Sequence, residues 1–226
     1  MRSRRSLLRT GGLAAVGTLG GLVALPSPPD ATPMDRTAEA AALPNAVAGW
    51  TDDQITRETE TPIARYQYRA TAAEPNRTDR EKFVATSPIN VVLVPDTETD
   101  ASGLESVMQV LEAEGWLRDP DEYTRYAWDR TEGRFVRQQA TAAESYFGAS
   151  GRFHVRCWSF EGIVSMQVHE DSAARPKHDV ISYDRGRKSI AATFDAAGWE
   201  VSPDAIDLDN GQRDYDGLAA VITESP

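Results

Sequence analysis

The chain has 226 residues and a formal net charge of −11 at pH 7, with 35 Asp and Glu against 24 Lys and Arg. Four arginines in residues 1–25 have no acidic companion, so the remainder carries −15, which argues against nucleic acid and anionic membrane surfaces as partners. The single cysteine, Cys157, rules out an intrachain disulfide and a cysteine-based zinc site.

Residues 1–25 begin Met-Arg-Ser-Arg-Arg-Ser-Leu-Leu-Arg and run into a Gly-rich apolar stretch shorter than a comfortable membrane span, the pattern of an export signal. Ser3-Arg4-Arg5-Ser6-Leu7-Leu8-Arg9 resembles the twin-arginine translocation motif, which implies export of a folded protein to the cell surface or beyond. Ala24-Leu25-Pro26 is an indistinct cleavage site, so a cut leader and an uncleaved membrane tether are both open. Residues 26–47, rich in proline and alanine, read as a linker, and 48–226 as one domain. Only Lys82, Lys177 and Lys188 are lysine, and so acidic a surface resembles that of proteins from extreme halophiles such as haloarchaea.

Within the domain, Ala64, Tyr66, Tyr68 and Ala70 alternate with Arg65, Gln67 and Arg69, predicting an edge strand with a buried aromatic face. Asn76-Arg77-Thr78 fits an N-glycosylation acceptor. The β-branched run 88–94 predicts a central strand covered on both faces. Leu104, Val107, Met108 and Leu111 have helical spacing, with Ser102 able to cap the start and Gly115 to close the end before Trp116. The same phrase returns with Asp184 as cap, Ile190, Phe194 and Ala197 as stripe, and Gly198 before Trp199. Between them, 123–128 and 134–139 predict a hairpin around 131–133, while 140–147 suits a helix equally well as a strand.

The most informative stretch is 152–170, two alternating segments joined at Glu161-Gly162. Successive side chains of a strand point to opposite faces, so Arg152, His154, Arg156 and Trp158 share one face and Phe153, Val155 and Cys157 the other. A two-residue turn sets His154 opposite His169. With a last strand near 219–223, the order strand, helix, hairpin, helix, strand predicts an α+β fold: a split β-α-β, ferredoxin-like sandwich of an antiparallel sheet and two main helices, with extra strands.

No phosphate-binding Gly loop, nucleophile elbow, His-Glu-x-x-His or calcium loop is present. Two chemical readings remain. His154, His169 and His178 can together hold a divalent metal such as zinc, with Asp184 or Glu170 as base of a hydrolase. Alternatively, His154, Arg156, Trp158, His178, Asp184 and Arg187 form a binding surface in which guanidinium groups clamp an anionic ligand. Pairing of those arginines with the abundant acids needs no site at all. Cys157, on the apolar face, reads as an inert thiol.

The run 88–94, Gly115-Trp116, the strand His154-Val155-Arg156-Cys157-Trp158, and His178 followed by Asp184 and Arg187 resemble the domain at the C-terminus of LssY-type membrane proteins over residues 85–200. Phe153 stands where that family tends to have a second histidine. The resemblance implies an envelope module with a small-molecule or envelope-associated partner. It implies no phosphatase activity, because the motifs of the lipid-phosphatase-like unit are missing.

Overall fold

A computed structural model describes residues 62–71, 82–120, 123–146, 151–173, 179–212 and 215–226. The leader, the linker, Asn76 and His178 lie outside them. In chain order the first elements are β1 (Tyr66–Ala70), β2 (Phe83–Pro88), β3 (Val91–Val94), α1 (Asp100–Ala113), β4 (Leu117–Arg118), β5 (Tyr126–Asp129) and β6 (Arg134–Arg137). There follow β7 (Ala140–Ala143), β8 (Phe153–Phe160), β9 (Ile163–Asp171), β10 (Val180–Ser182), α2 (Tyr183–Ala196), β11 (Glu200–Asp207) and β12 (Leu218–Thr223).

The fold is α+β. The larger sheet has the order β11-β12-β3-β9-β8-β7-β4, with β10 paired to β9, and a four-stranded sheet has the order β2-β1-β5-β6. The large sheet is mixed rather than antiparallel throughout, because β12 pairs parallel with β3. Its two faces are both covered. On one, Val91, Leu93, Val155, Cys157, Met166 and Val168 pack with Val107, Met108 and Leu111 of α1 and Ile190 and Phe194 of α2. On the other, Val92, Trp158, Phe160 and Val221 meet Ala127 of β5 and Val136 of β6. Burying each large aliphatic side chain contributes roughly 1.5–3 kcal/mol before chain entropy is counted, so two apolar layers and not one hold the sheet.

The predicted helices and their closing glycine-tryptophan pairs are present, and Trp116 and Trp199 are both buried. Their caps differ from expectation. Thr99 caps α1, accepting a hydrogen bond from the Ser102 backbone, and Ser182 caps α2, accepting one from that of Arg185. In each case a hydroxyl earlier in the chain has the extended backbone a cap requires, while Ser102 and Asp184 already lie inside the first turn. The 134–137 hairpin partner forms as predicted, pairing Tyr126 with Arg137 and Asp129 with Arg134.

One expectation is corrected, and one alternative left open by the sequence is decided. β1 is not an edge strand, since β2 and β5 flank it, and its buried side chain is Gln67 rather than the tyrosines. Tyr68 instead packs edge-on against Phe135, with ring centroids 5.0 Å apart. The alanine-rich start of 140–147 is strand β7, because pairing with both β8 and β4 outweighs alanine's helical preference.

The β8–β9 hairpin is paired without interruption from Phe153↔Glu170 to Phe160↔Ile163. Its turn residues Glu161 and Gly162 have φ of 51° and 79°, the left-handed conformation that the two central residues of a type I′ turn need. Asp100, in the first turn of α1, clamps this turn: its Oδ1 accepts the Gly162 N–H at 2.5 Å. Asn90, fully buried between β2 and β3, fixes the other end. Its Nδ2 donates to the carbonyls of Val168 (2.8 Å) and Tyr183 (3.1 Å), and its Oδ1 accepts from the Val168 N–H (2.9 Å). One amide thus ties β9 to the start of α2 beside His169.

Candidate functional site

The hairpin register sets His154 and His169 directly opposite one another, as the alternation predicts, with ring centroids 4.0 Å apart. Parity continues one residue further and brings Asp171 onto the same face. Arg152 Nε donates to Asp171 Oδ2 at 3.0 Å, and His154 Nδ1 meets the same oxygen at 2.9 Å. His169 Nε2 lies 3.1 Å from the other carboxylate oxygen. Arg156 Nη1 is 3.0 Å from His154 Nε2, and Gln167 Nε2 is 2.7 Å from His169 Nδ1. Arg152, His154, Arg156, Gln167 and Asp171 are each at most 2% exposed.

These contacts assign protons. A guanidinium can only donate, so His154 Nε2 accepts from Arg156 and its Nδ1–H points at Asp171, while Arg152 Nη2, 3.2 Å from that Nδ1, turns its N–H to the same carboxylate at 2.9 Å. The ring is therefore neutral. Burial, then the neighbouring His169 and Arg156, hold its pKa well below the usual histidine value, with the bond to Asp171 pulling the other way. Burial alone raises a carboxylate, but the bonds from His154 and His169 outweigh it and keep Asp171 far below the usual range. Cys157, across the sheet, has its thiol pushed up to about 12 by burial and is unreactive.

The sign of the pH dependence follows. A histidine depressed in the folded state takes up fewer protons than the unfolded chain, so its contribution to stability is present above about pH 6.5 and falls as the pH drops below it. Asp171 adds a second loss below about pH 4. Stability measured by urea denaturation is expected to decline by up to about 1.4 kcal/mol per pH unit from pH 6.5 downward for the one site. A His154→Gln variant should be flatter over that range. Glu144, raised chiefly by burial, runs the other way, so the comparison with the variant is what isolates His154.

His154, His169 and Asp171 offer ligand atoms within 4.8 Å of one another, the spacing of a metal centre. The surroundings suit a cation poorly. Arg152 and Arg156 set two positive charges against the cluster, and a metal on His154 Nδ1 requires a proton on Nε2, where Arg156 already donates. The donor set fits a proton-sharing network better.

The other predicted residues are dispersed. Trp158 faces the small sheet and donates its indole N–H to the Val136 carbonyl at 3.1 Å. Arg187 is consumed by acids: two bonds of 3.0 Å to Asp216, one of 2.7 Å to Asp184, and one to the Leu218 carbonyl. Among the described residues it is linked to the cluster through a series of edge-to-face rings, Tyr215 to Tyr183 to His169. Glu170 points to the other side of β9 and pairs with Arg185 at 2.7 Å. His178 falls outside the described residues. Asp171 was legible in principle, since it extends the series Ser165, Gln167, His169, but a strand ended at Glu170 leaves it out.

One strand away, a groove of about 530 Å³ is lined by Asp119 and Pro120 on one side and residues 137–141 on the other. It forms where β4 leaves β7 after the Asp119 N–H bonds the Thr141 carbonyl at 2.8 Å. Thr141 is paired in register with Arg156, so the groove floor is one strand from His154. No helix of the described residues is long and apolar enough to cross a membrane. Comparison with family models, curated proteins and solved structures returned no match.

Proposed function

We propose that the chain is an exported, non-enzymatic module of the cell envelope that binds a small molecule in the groove over β7. The observation carrying this reading is the register pair Thr141–Arg156, which joins an open polar groove to a rigid buried network. Ligand sites are commonly concave and preformed, with a few fixed polar groups, and Arg156 held by His154 supplies that rigidity. Export rests on the twin-arginine-like Ser3–Arg9 segment, and the envelope setting on the LssY-like segments. The core quartet β12-β3-β9-β8 with its two helices is read as a variant of the split β-α-β arrangement, in which β12 has entered between β3 and β11.

The test is ligand capture by the purified full chain, with small molecules identified by native mass spectrometry. Arg137 is exposed at the groove, so Arg137→Trp fills it without touching the core. Ligands retained by the parent and lost by this variant support the groove; equal retention by both overturns it.

A second reading, a metal-dependent hydrolase acting on an envelope substrate, is favoured by the convergence of His154, His169 and Asp171. Stoichiometric zinc or manganese that disappears in His169→Ala would establish the metal, and metal-free protein from metal-supplemented growth would remove it.

A further inference from the structure

We propose that the molecule held in the groove is a small organic anion, which presents a carboxylate or phosphate to Arg137 and a hydroxyl or amine to Asp119. The inference rests on the groove being a binding site and adds the chemistry of its occupant.

In a chain with this acid excess, an arginine is expected to find a carboxylate. Arg118 does so with Glu105 and Glu112, Arg152 with Asp171, Arg185 with Glu170, and Arg187 with Asp184 and Asp216. Arg137 does not: among the described residues no hydrogen bond or ion pair engages its guanidinium. Two further donors line the same groove. Gln139 uses its Oε1 to accept the Ser159 N–H at 2.5 Å, which fixes the amide and leaves its N–H₂ side for another acceptor. The Thr141 hydroxyl, on a residue only 7% exposed, likewise has no partner among the described residues.

A planar guanidinium matches two oxygens of a carboxylate or phosphate, and amide and hydroxyl donors beside it complete the recognition of an anion. The opposite wall has the reverse character. Asp119, in the left-handed conformation at φ 47°, projects a carboxylate that is 72% exposed and whose Oδ2 lies 4.0 Å from Arg118 Nε, beyond hydrogen-bond reach. It accepts hydrogen bonds and repels a second negative group. The lining therefore selects one anionic end and one donating end, and disfavours dianions charged at both ends.

The measurement is titration of the full chain with lactate, glycerol 3-phosphate and glycerol, followed by amide chemical shifts. Arg134 lies on the same strand, is exposed and also has no described partner, but it does not line the groove, so Arg134→Ala removes equal charge outside the site. Saturable binding of lactate or glycerol 3-phosphate, weakened about tenfold or more by Arg137→Ala and less than twofold by Arg134→Ala, is the expected result. Which of the two anions binds tighter identifies carboxylate or phosphate as the recognised group. Equal weakening by both variants reduces the effect to diffuse charge and overturns the proposal. Glycerol binding as tightly as the anions, or a neutral ligand captured by the parent and lost in Arg137→Trp while both anions fail to bind, overturns the anion and leaves the groove standing. Indifference of every captured ligand to Arg137→Trp overturns both.

Discussion

Replacing Asp171 with alanine is expected to destabilise the protein by about 3–5 kcal/mol, the range for removing one partner of a buried ion pair. The carboxylate is the only negative group among the contacts of Arg152, His154 and His169 given above, and its side chain is 2% exposed. Its loss leaves a buried guanidinium and a buried Nδ1–H without their acceptor, and the cost of stranding such groups exceeds the modest net worth of the bonds themselves. Asp171→Asn should cost less, because one amide oxygen still accepts. A paired change, Arg152→Met with Asp171→Leu, should recover part of the alanine loss, since it strands no charge and leaves only the imidazole N–H groups of His154 and His169 without the carboxylate. Denaturation midpoints of the four proteins check this order. An alanine variant within 1 kcal/mol of the parent would mean that water already reaches the cluster, contrary to its burial.

The second large effect is expected at Gly186 in α2. A Cβ there would stand 2.9 Å from His169 Cα, 3.0 Å from its nitrogen and 3.1 Å from the Val168 carbonyl carbon. These are backbone atoms of a central strand, so no side chain can swing aside to relieve the overlap. Alanine improves intrinsic helix propensity by about 1 kcal/mol. Overpacking of this kind typically costs 1–3 kcal/mol, occasionally more, and here α2 must lift from β9 with Ile190 and Phe194 losing contact, so a net loss of about 2 kcal/mol is predicted for Gly186→Ala. Because the overlap is centred on His169, the ring resonances of His169 and Tyr183, 5.8 Å apart, should shift as well. A stabilised variant with unchanged His169 resonances would show that helix and strand are farther apart than this.

Alternation made the centre of the molecule legible. The pairing of His154 with His169 follows from counting positions back from Glu161-Gly162, and the β-branched run at 88–94 forecasts a strand covered on both sides, of which 91–94 form β3 while Pro88 ends β2. What alternation cannot report is which face is sealed. The His154 face carries imidazole and guanidinium and reads as a wall of an open hollow, yet β5 and β6 supply a second layer that closes over the neighbouring Trp158 and Phe160. Alternation puts Tyr68 inside and Gln67 outside for the same reason, whereas Gln67 is buried and Tyr68 packs on Phe135 of the small sheet itself. β11 went unseen because Pro203 and three acids interrupt its apolar pattern, and only β12, which it flanks, gives that segment a place. The groove was invisible altogether, being a product of where β4 parts from β7 rather than of any local motif.

The parallel contact of β12 with β3 has a consequence for the route of assembly. The β8–β9 hairpin closes over a two-residue turn, a microsecond event, whereas Val91 must find Ala220 across most of the domain. Until it does, β3 presents four consecutive aliphatic residues along a bare rim, the kind of edge that recruits strands from other molecules. Aggregation during refolding should therefore be governed by how quickly β12 docks, and changes in β12 should alter the yield of soluble protein more than equal losses of stability placed elsewhere.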